Sequence, residues 1–502
     1  MNAPYWILSS EGKQYETLNE DYSTDYLVIG GGLTGVTCLF LLSREGYNAT
    51  LIDANRIGHG SSGRNTGKAT VQHGYIYSRI EKKYGFEKAK QYYEINNKAI
   101  QFIEDMTRQY NIDCQFKRLP AYLFTRDENF VEKLKEEFAV YQKIGLDCSY
   151  EKELPVPINV LGAIKLNNQA QFHPKRFLDA LANEAVNMKG RIFENTRVID
   201  FHPGEECVVE LENGKRIRAK NVIIASHYPC YDAKAFYFAR MRADRSYIVG
   251  YETDNFPEAH FINIEKPTIS LRYIPEEKVL LLSGEGHKVG HNDGDHYENL
   301  KSLAKEIFGF QNAKYQWSAQ DYITHDYIPY AGYTSVEYKN IFIATGYRKW
   351  GLTSSIASAM VIMDLIKKQE SEYEDLFSNL RVKDIISLNF LKENADMAVQ
   401  LVAGKLTLGE SEIPQDRGVG IVVNIEGKRC GFYRDEEDNI YLVDITCTHM
   451  GCELKWNSQE KSWDCPCHGS RFDYKGNILE GPAEYSLNSY TELKNKINPQ
   501  IM

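Results

Sequence analysis

A short apolar run, Tyr26-Leu-Val-Ile29, begins the most regular pattern near the start of the chain, and a glycine-rich stretch follows it directly. Such a run predicts a buried β-strand. Residues 36–45 carry apolar side chains on one side, which predicts a helix that ends before Gly46. A second apolar run over residues 49–52 ends at Asp53. Together these patterns predict a strand–helix–strand unit of about 30 residues.

Patterns with helical spacing cover residues 86–110 and 130–145, and short apolar runs typical of strands lie between and after them. They predict a mixed α+β substrate domain, made mainly of residues 76–190 and 231–314. This domain interleaves with the parts of an α/β domain, which we expect at about residues 24–75, 190–230 and 315–370.

Two further segments follow residue 380. Apolar positions spaced for one helix face predict a helical linker over residues 381–412. From residue 413 the pattern changes to short runs such as 428–434 and 440–444, which predict an all-β domain over residues 413–502. A chain of 502 residues is too long for one compact core, so several domains are expected.

The glycine-rich stretch Gly30-Gly-Gly32-Leu-Thr-Gly35 adds chemistry to the first unit. Gly30 allows a tight turn, Gly32 lets the backbone approach a pyrophosphate, and Gly35 lets the helix pack on the strand. The helix N-terminus then points at the phosphates, and Asp53 accepts hydrogen bonds from a ribose hydroxyl. A glycine turn in this setting predicts a dinucleotide site.

Four segments within residues 24–370 resemble the D-amino-acid-oxidase-like flavoproteins: the loop Arg56-Ile-Gly-His-Gly-Ser-Ser-Gly-Arg64-Asn-Thr-Gly67, the run around Val198, the run Asn221-Val-Ile-Ile-Ala-Ser226, and the segment Ile341-Phe-Ile-Ala-Thr-Gly346-Tyr-Arg-Lys-Trp-Gly351-Leu-Thr353. The resemblance implies that residues 1–380 form an FAD-dependent oxidoreductase with a Rossmann-type FAD-binding domain. In this family the first loop wraps the cofactor, and the last segment places a helix N-terminus where negative charge grows on reduction.

The resemblance also implies a set of FAD-binding residues along these segments and the glycine turn. They are Gly30, Gly32, Leu33, Thr34, Gly35, Asp53, Ala54, Ser61, Ser62, Arg64, Val198, Gly346, Gly351, Leu352 and Thr353. His59 and His73 flank the wrapping loop, where a histidine attaches covalently to FAD in some relatives. Ordinary hydrogen bonding is the favoured role for both.

Near the C-terminus, Cys447-Thr-His449 and Cys465-Pro-Cys467-His468 each pair a thiolate with an imidazole. Zinc also binds two cysteines and two histidines, but zinc ribbons and fingers rarely use this order. Two cysteines on one iron and two histidines on the other build a Rieske [2Fe–2S] centre. The Rieske interpretation is therefore favoured over zinc.

The same segment resembles the Rieske domains of cytochrome bc complexes, including two additional cysteines. The resemblance implies that Cys447 and Cys465 bind one iron and that His449 and His468 bind the other. It also implies a disulfide between Cys452 and Cys467 that ties the two cluster loops together.

A second glycine pattern, Gly284-Glu-Gly286-His-Lys-Val-Gly290, superficially offers an NAD site after the apolar run at residues 278–283. Its spacing differs from the fingerprint by one residue, and a loop sequence follows it instead of a helix. We therefore predict a strand and a turn of the substrate domain. His287, His291 and His296 also suit a mononuclear iron site, but a solvated turn is favoured, because Rieske oxygenases with such a site place the Rieske domain first.

The composition, 43% apolar and 25% charged residues, is ordinary for a globular protein, and the formal net charge is −10. The acidic balance argues against nucleic acid and anionic membranes, which both favour a basic surface. No apolar run approaches the roughly 20 residues of a membrane span. The first 25 residues lack the features of a signal peptide. We expect a cytoplasmic protein.

The whole arrangement resembles the YhfW-like bacterial flavoproteins, amine-oxidase relatives with a fused C-terminal Rieske domain. The resemblance implies an oxidoreductase that carries FAD and a Rieske cluster. Our hypothesis is a dehydrogenase of an amine or amino acid that passes electrons one at a time through the cluster to an external acceptor. Two alternatives stay open: an electron-transfer or redox-sensing protein without metabolite turnover, and a reductase that runs in the opposite direction.

Catalytic residues are harder to identify from the sequence than cofactor-binding residues, because hydride transfer to a flavin often needs no side-chain base. Arg272 and Tyr273, on one predicted strand, are candidates for binding a substrate carboxylate. The competing interpretation of Arg272 is a surface salt bridge. Arg348 and Trp350, in the turn after residue 346, are the alternative candidates.

Overall fold

The apolar run at residues 26–29 is the second half of a longer strand, the first of the chain. The computed structural model describes residues 3–232, 235–291, 294–381, 394–397, 399–400, 413–490 and 492. Its helices are α1 (Tyr5–Leu8), α2 (Leu33–Arg44), α3 (Tyr77–Tyr84), α4 (Phe86–Gln109), α5 (Glu128–Ile144), α6 (Pro174–Asn187), α7 (Tyr237–Arg240), α8 (His296–Phe308), α9 (Gly351–Lys368) and α10 (Glu374–Phe377).

The strands are β1 (Tyr22–Ile29), β2 (Ala49–Ile52), β3 (Lys68–Ala69), β4 (Lys117–Thr125), β5 (Cys148–Glu151), β6 (Gly162–Gln171), β7 (Arg191–Phe193), β8 (Val198–His202), β9 (Cys207–Leu211), β10 (Arg216–Ile224), β11 (Met241–Glu252), β12 (His260–Asn263), β13 (Ile269–Ile274), β14 (Val279–Lys288), β15 (Tyr315–Thr324), β16 (Tyr330–Tyr333), β17 (Ile341–Thr345), β18 (Gly420–Ile425), β19 (Lys428–Arg434), β20 (Ile440–Asp444), β21 (Lys455–Asn457), β22 (Ser462–Asp464), β23 (Arg471–Asp473) and β24 (Ile478–Glu480).

These elements divide between two units. The first consists of Met1–Ala235, Ser246–Gly286 and His296–Arg381. The second consists of Phe236–Arg245, His287–Asp295 and Val382–Met502. Two short segments from the middle of the chain therefore belong with the C-terminal residues, an assignment that no local sequence pattern predicts.

The first sheet places two helix N-termini at one edge. Strands β17, β10, β1, β2 and β7 pair in parallel in that order, and β16 adds an antiparallel strand at the β17 end. Helix α2 follows β1 and helix α9 follows β17. Because the carboxyl ends of parallel strands meet at one edge of a sheet, both helices begin there. Both are buried along most of their length.

The second sheet has the order β15–β11–β14–β13–β12–β4–β6–β3, and β5 pairs with β6. Adjacent residues of a strand face opposite sides of a sheet. One side of this sheet carries an apolar cluster that includes residues of helix α8. The other side packs against Tyr5 and Trp6 of helix α1 and carries several buried polar side chains.

The predicted turn at Gly284 is wrong. Strand β14 continues through Gly284, which pairs with Ile269, and ends at Lys288. A Cβ atom on Gly284 would lie 2.2 Å from the carbonyl oxygen of Thr268. The glycine therefore marks a close backbone approach inside a strand instead of a turn. Helix α8 then begins at His296, where the sequence predicted only a loop.

The second unit contains two antiparallel sheets, β18–β19–β20 and β21–β22–β23–β24. The predicted strands at residues 428–434 and 440–444 are present with those bounds. The helical linker expected over residues 381–412 falls largely outside the described residues. Of its described residues, 394–397 and 399–400 are helical and Arg381 is not.

Buried ion pairs connect the segment Phe236–Arg245 to the second of these sheets. Arg245 is 1% exposed and its guanidinium lies 2.9 Å from the carboxylate of Glu480. Arg471 pairs with Asp464 at 3.0 Å and with the same Glu480 at 3.4 Å. Breaking such a buried network by removing one partner leaves an unpaired charge, so the network holds this segment within the unit.

Candidate functional site

The glycine turn between β1 and α2 has no room for side chains. Gly30 has a φ of +112°, and a Cβ there would lie 2.4 Å from the carbonyl oxygen of Ala225. A Cβ on Gly35 would lie 1.9 Å from the carbonyl oxygen of Gly30. The two glycines therefore let helix α2 start against the end of the strand, as the sequence predicts.

The N-terminus of α2 carries several of the predicted FAD residues. No side chain of the N-cap residue Gly32 is available to cap the helix. The Ser62 hydroxyl accepts a hydrogen bond from the Leu33 amide at 2.9 Å. The Thr34 hydroxyl lies 2.6 Å from the Tyr347 hydroxyl. A helix N-terminus built this way favours an anionic group such as a phosphate.

Asp53 follows β2 directly and supports the glycine turn. Its carboxylate accepts hydrogen bonds from the Gly31 amide at 2.6 Å and from the Asn55 amide at 2.7 Å. Burial raises the pKa of Asp53, and the two amides oppose that shift. Ala54, the next residue, is half-buried. The acid expected at the ribose thus lies beside the turn expected at the pyrophosphate.

The loop after Asp53 folds back over the start of α2. Ser61 and Ser62 lie in a short 3₁₀ turn, and the Ser61 hydroxyl donates to the carbonyl oxygen of Gln320 at 2.8 Å. Arg64 donates through Nε to the carbonyl oxygen of His59 at 3.3 Å. Val198 begins strand β8 and is half-buried. The assignment of these residues to FAD stays a prediction.

Helix α9 presents the second N-terminus at this edge. Gly346 follows strand β17 with a φ of +79°. Gly351, Leu352 and Thr353 form the first turn of the helix, and the side chain of its N-cap residue, Trp350, does not cap it. The Thr353 hydroxyl lies 3.0 Å from Nε2 of His73. The partial positive charge of this helix end favours negative charge beside it.

Both ring nitrogens of His73 are engaged in hydrogen bonds. Nδ1 lies 2.8 Å from the Tyr92 hydroxyl, and Nε2 lies 2.7 Å from the carbonyl oxygen of Thr70. Burial lowers the pKa of His73 to about 3, with Arg348 as a second cause. Burial likewise lowers the pKa of His59 to about 4. The contacts of His73 agree with the favoured hydrogen-bonding role.

Arg348 and Trp350 lie around His73 in the turn before α9. The Trp350 ring stacks on His73 with centroids 4.9 Å apart. Arg348 donates through Nη2 to the carbonyl oxygen of His73 at 3.2 Å and lies over the Tyr327 ring at 4.9 Å. Its Nη1 is buried and has no hydrogen-bond partner among the described residues. This nitrogen is free to bind an acceptor atom of a ligand.

Arg272 and Tyr273 do not face the same site. Arg272 is 1% exposed and donates to the carbonyl oxygen of Thr66 at 2.9 Å and to Gln171 at 3.2 Å. It is not the surface salt bridge considered from the sequence. The Tyr273 hydroxyl instead donates to the carbonyl oxygen of Thr253 at 3.1 Å, and its ring packs in the apolar cluster on the other side of the sheet. The pairing of these two candidates is therefore wrong, since neighbours on a strand point in opposite directions.

Two loops of the second unit bring the predicted cluster ligands together. Cys447 and His449 lie between β20 and β21, and Cys465 and His468 lie between β22 and β23. The His449 and His468 rings are 4.9 Å apart and perpendicular. The hydrogen bond between the two thiols lowers the pKa of Cys447 to about 7. Burial lowers the pKa of His449 to about 4 and that of His468 to about 3, so both imidazoles are neutral at pH 7.

The surroundings of the two histidines differ. His468 is 3% exposed, its Nε2 lies 3.0 Å from the Met397 sulfur, and the Phe238 ring meets it edge-on at 5.7 Å. His449 is half-buried. Cys452 and Cys467 form a disulfide with an S–S distance of 2.04 Å, as the resemblance implies.

The histidines considered for a mononuclear iron site lie around the end of strand β14 and the start of helix α8. Among the described residues, none of the clusters of potential metal ligands contains His287, His291 or His296. The prediction of a solvated turn holds only in part: Gly294 and Asp295 are exposed, but Gly290 is buried, and a Cβ on it would lie 2.5 Å from Cα of Pro466. The turn therefore packs against a cluster-binding loop inside the second unit.

The residues present fit both cofactors that the sequence implies. Two helix N-termini whose N-cap residues make no side-chain hydrogen bond to the helix, a glycine turn without space for side chains and the Asp53 carboxylate suit a dinucleotide. Two adjacent thiols and two neutral imidazoles suit an iron–sulfur cluster with mixed ligands. Nδ1 of His468 is buried without a hydrogen-bond partner among the described residues, as expected of an atom that binds a metal.

Comparisons with known proteins agree with this division. Residues 25–365 match the family described as FAD dependent oxidoreductase, and residues 406–491 match the Rieske [2Fe-2S] domain. The protein YhfW of Bacillus subtilis, described as a Rieske 2Fe-2S iron-sulfur protein, is 40% identical over 95% of this chain and 96% of its own length. The gamma-glutamylputrescine oxidoreductase of Escherichia coli is 25% identical over 73% of this chain and 88% of its own length.

Among solved structures, glycine oxidase from Geobacillus kaustophilus is similar with a TM-score of 0.62 and 17% identity, over 72% of this chain and 99% of that one. Such a likeness shows a shared fold for the first part of the chain. None of the described helices combines the length and the apolar character that a membrane crossing requires.

Proposed function

This chain belongs to the FAD dependent oxidoreductase family and carries a C-terminal Rieske domain, and on that premise we propose that it dehydrogenates an amine or an amino acid and passes the electrons, one at a time, through its cluster to an external acceptor. The first domain binds FAD and the Rieske domain binds a [2Fe–2S] cluster. FAD supplies two-electron oxidation, and the cluster supplies transfer of single electrons. The proposal places the protein in the cytoplasm.

The observation that carries the proposal is the presence of both sites in one chain. The net reaction removes two electrons and two protons from a carbon–nitrogen single bond and gives an imine, which water converts to a carbonyl compound and ammonia. Each turnover therefore releases two electrons, which reduce two equivalents of a one-electron acceptor. A protein that gave both electrons directly to oxygen would have no use for a single-electron site.

The substrate class rests on the relatives and on the charge near α9. The named relatives act on gamma-glutamylputrescine and on glycine, an amine and an amino acid. Arg348 supports a substrate with an acceptor group, because its buried Nη1 has no partner among the described residues. The half-buried Trp350 stacks on His73 beside it. Arg272 is the second candidate for binding an acceptor group of the substrate.

The half-buried His449 supports the proposed exit of electrons. His468 is covered by Met397 and Phe238, both within the second unit. The residue after His449, Met450, is 48% exposed. The His449 side of the cluster loops is therefore more accessible to an external acceptor than the His468 side.

An anaerobic titration of the purified protein tests the proposal. Amino acids and amines are added singly, and the visible absorbance of the flavin is followed, with dithionite as the control that shows a reducible cofactor. We expect one class of compound to bleach the flavin and to produce the electron paramagnetic resonance signal of the reduced cluster. If dithionite reduces both centres but no amine or amino acid reduces either, the dehydrogenase proposal fails, and the redox-sensing alternative takes its place.

A further inference from the structure

The segment before strand β1 contacts the loop that is predicted to wrap the cofactor. The side chain of Trp6 is fully buried, and its indole Nε1 donates a hydrogen bond to the carbonyl oxygen of Asn65 at 2.6 Å. Ile7 lies against the same loop, since a Cβ on Gly63 would be 3.1 Å from its Cγ1 atom. We name residues 5–18 the N-terminal strap and residues 56–67 the wrapping loop. The family match begins at residue 25, so the N-terminal strap precedes it.

The N-terminal strap also contacts the beginning of the wrapping loop. Arg56 donates through Nη2 to the carbonyl oxygen of Gly12 at 3.1 Å. The carboxylate of Glu194, which is 1% exposed, accepts hydrogen bonds from the Tyr15 amide at 3.1 Å and from the Ile57 amide at 2.9 Å. One buried carboxylate therefore bridges the strap and the loop. Because the strap contacts both ends of the loop, it restricts how the loop can move.

A second tryptophan binds the neighbouring carbonyl group of the wrapping loop. Trp317 of strand β15 is 2% exposed, and its indole Nε1 donates to the carbonyl oxygen of Arg64 at 2.7 Å. Trp6 and Trp317 belong to the same buried apolar cluster, so both indoles lie on one side of the loop. A buried indole N–H usually finds a hydrogen-bond acceptor. Here the two acceptors are consecutive carbonyl groups of one loop.

The direction of these two carbonyl groups determines the direction of two amide groups. In a trans peptide unit the C=O of one residue and the N–H of the next residue point in opposite directions. The carbonyls of Arg64 and Asn65 point toward the tryptophans, so the N–H groups of Asn65 and Thr66 point away from them. Among the described residues, neither N–H donates to a protein acceptor. Two donors are therefore available on the side opposite the apolar cluster.

The wrapping loop lies in the stretch of chain between the two helix N-termini that are predicted to bind FAD. At one end, Ser62 of the loop accepts a hydrogen bond from the Leu33 amide at the start of α2. After the loop, His73 lies 3.0 Å from the hydroxyl of Thr353 in the first turn of α9. The two available amide donors are therefore in the segment of the chain where an FAD molecule is expected.

We propose that the N-terminal strap is part of the FAD site and that Trp6 is a positioning residue. Together with Trp317 it orients the amides of Asn65 and Thr66 as donors to an oxygen atom of FAD. Donors that are held in place before binding lose less entropy when the ligand binds. Without the indole N–H of Trp6, the Asn65 carbonyl loses its partner and the following amide loses its fixed direction. The proposal concerns the cofactor, goes beyond the proposed reaction and holds for any substrate.

The affinity of the full-length protein for FAD tests the proposal. FAD is removed by dialysis against potassium bromide, and rebinding is followed by the change in flavin fluorescence and by the visible spectrum of the bound flavin. Trp6→Phe keeps a ring in the apolar cluster but loses the indole N–H. We expect this variant to bind FAD about fivefold more weakly, the effect of one hydrogen bond, and to change the spectrum of the bound flavin. Trp317→Phe should act in the same direction.

A matched control is Tyr315→Phe. The Tyr315 ring packs against Tyr5 at the edge of the same apolar cluster, with centroids 5.5 Å apart. Its hydroxyl is a hydrogen-bond partner of Lys314 and not of the wrapping loop. This variant should bind FAD as the unmodified protein does. The melting temperature of each FAD-free variant shows whether it folds, which separates a loss of affinity from a loss of stability.

Several results would overturn the proposal. Unchanged FAD affinity in folded Trp6→Phe would show that the N-terminal strap only stabilises the fold. An equal loss of affinity in Trp6→Phe and Tyr315→Phe would assign the effect to the apolar cluster as a whole and not to the indole N–H. If Trp6→Phe does not fold, Trp317→Phe decides, and unchanged FAD affinity in that variant rules out the oriented amides.

Discussion

At the scale of single residues, Ser470 and Phe472 lie close to the predicted cluster cysteines, and of the two only Ser470 carries a hydroxyl. The Ser470 oxygen accepts a hydrogen bond from the Ala483 amide at 3.0 Å, which leaves its own hydrogen to donate. The Cys447 thiol is a hydrogen-bond partner of that hydroxyl. Phe472 is fully buried in the same apolar cluster as the ligand cysteines and carries no hydroxyl. The bc-complex Rieske domains, which the segment resembles, have a tyrosine at this place.

We predict that Phe472→Tyr raises the reduction potential of the cluster and that Ser470→Ala lowers it. Hydrogen bonds to cluster sulfurs stabilise the more negative reduced state. One such bond contributes about 1 kcal/mol, and 59 mV corresponds to a tenfold change for one electron. Each shift should therefore be about 40 mV, which protein-film voltammetry at fixed pH resolves.

Tyr474→Phe is the control for these two variants. Tyr474 lies two residues after Phe472, and its ring packs on Tyr433 and Tyr441 instead of the ligand cysteines. Loss of the Tyr474 hydroxyl should leave the reduction potential of the cluster unchanged. An unmoved potential in Phe472→Tyr, with the new hydroxyl within hydrogen-bonding distance of the Cys447 sulfur, would contradict the argument.

At the scale of elements, one helix is capped by a carboxylate from another. The N-terminus of α3 has no side-chain cap of its own. The carboxylate of Glu137 in α5 instead accepts hydrogen bonds from the Tyr77 amide at 3.0 Å and the Ser78 amide at 2.8 Å. Glu137 is completely buried, and burial raises its pKa to about 7.

This shift makes the stability contribution of Glu137 depend on pH. Because the folded-state pKa is above the unfolded value, the contribution is present below the unfolded pKa and is lost as the pH rises through about 7. Glutamine cannot ionise, so the free energy of unfolding of Glu137→Gln should rise relative to that of the unmodified protein between pH 5 and pH 8, by at most about 3 kcal/mol. Chemical denaturation at the two pH values measures the difference.

The exposed neighbour Glu136 supplies the control. Its side chain is 47% exposed and pairs with Lys82. Glu136→Gln should change the free energy of unfolding by a similar small amount at pH 5 and at pH 8. A difference between Glu137→Gln and the unmodified protein that is the same at both pH values would rule out the buried carboxylate as the cause.

At the scale of the whole molecule, the two cofactor sites share no residue. The predicted FAD-binding residues lie in the first unit, and the four predicted cluster ligands lie in the second. Loss of the cluster should therefore leave FAD bound. The protein should contain one FAD, two irons and two acid-labile sulfides per chain, because the Gly30–Asp53 segment and the four ligands each occur once.

We predict that Cys465→Ser keeps FAD and its reduction by substrate but loses most cytochrome c reduction. The reason is the division between two-electron and one-electron transfer in the proposed function. Stopped-flow absorbance measures flavin reduction, and steady-state assays measure cytochrome c. Cys430→Ser, a buried cysteine of the same unit outside the ligand set, is the control and should keep both activities. Full cytochrome c reduction by Cys465→Ser would show that electrons do not leave through the cluster.

The sequence by itself determined the features that depend on a few neighbouring residues. The strands at 49–52, 428–434 and 440–444 follow from short apolar runs, and the structure has them with the same bounds. The glycine turn after β1 and the cysteine–histidine spacing are equally local. Their chemistry needs particular residue types at fixed separations, so the family and both cofactors follow from the order of the amino acids alone.

Only the tertiary structure decided what lies across a strand or loop from each residue. Periodicity indicates that a side chain faces one side, but not which distant segment covers that side. Trp6 and Trp317 come from distant segments, so no local pattern predicts that they bind neighbouring carbonyl groups of one loop. The opposite directions of Arg272 and Tyr273 and the burial of the turn at Gly290 appear only in three dimensions, because burial depends on partners far away in sequence.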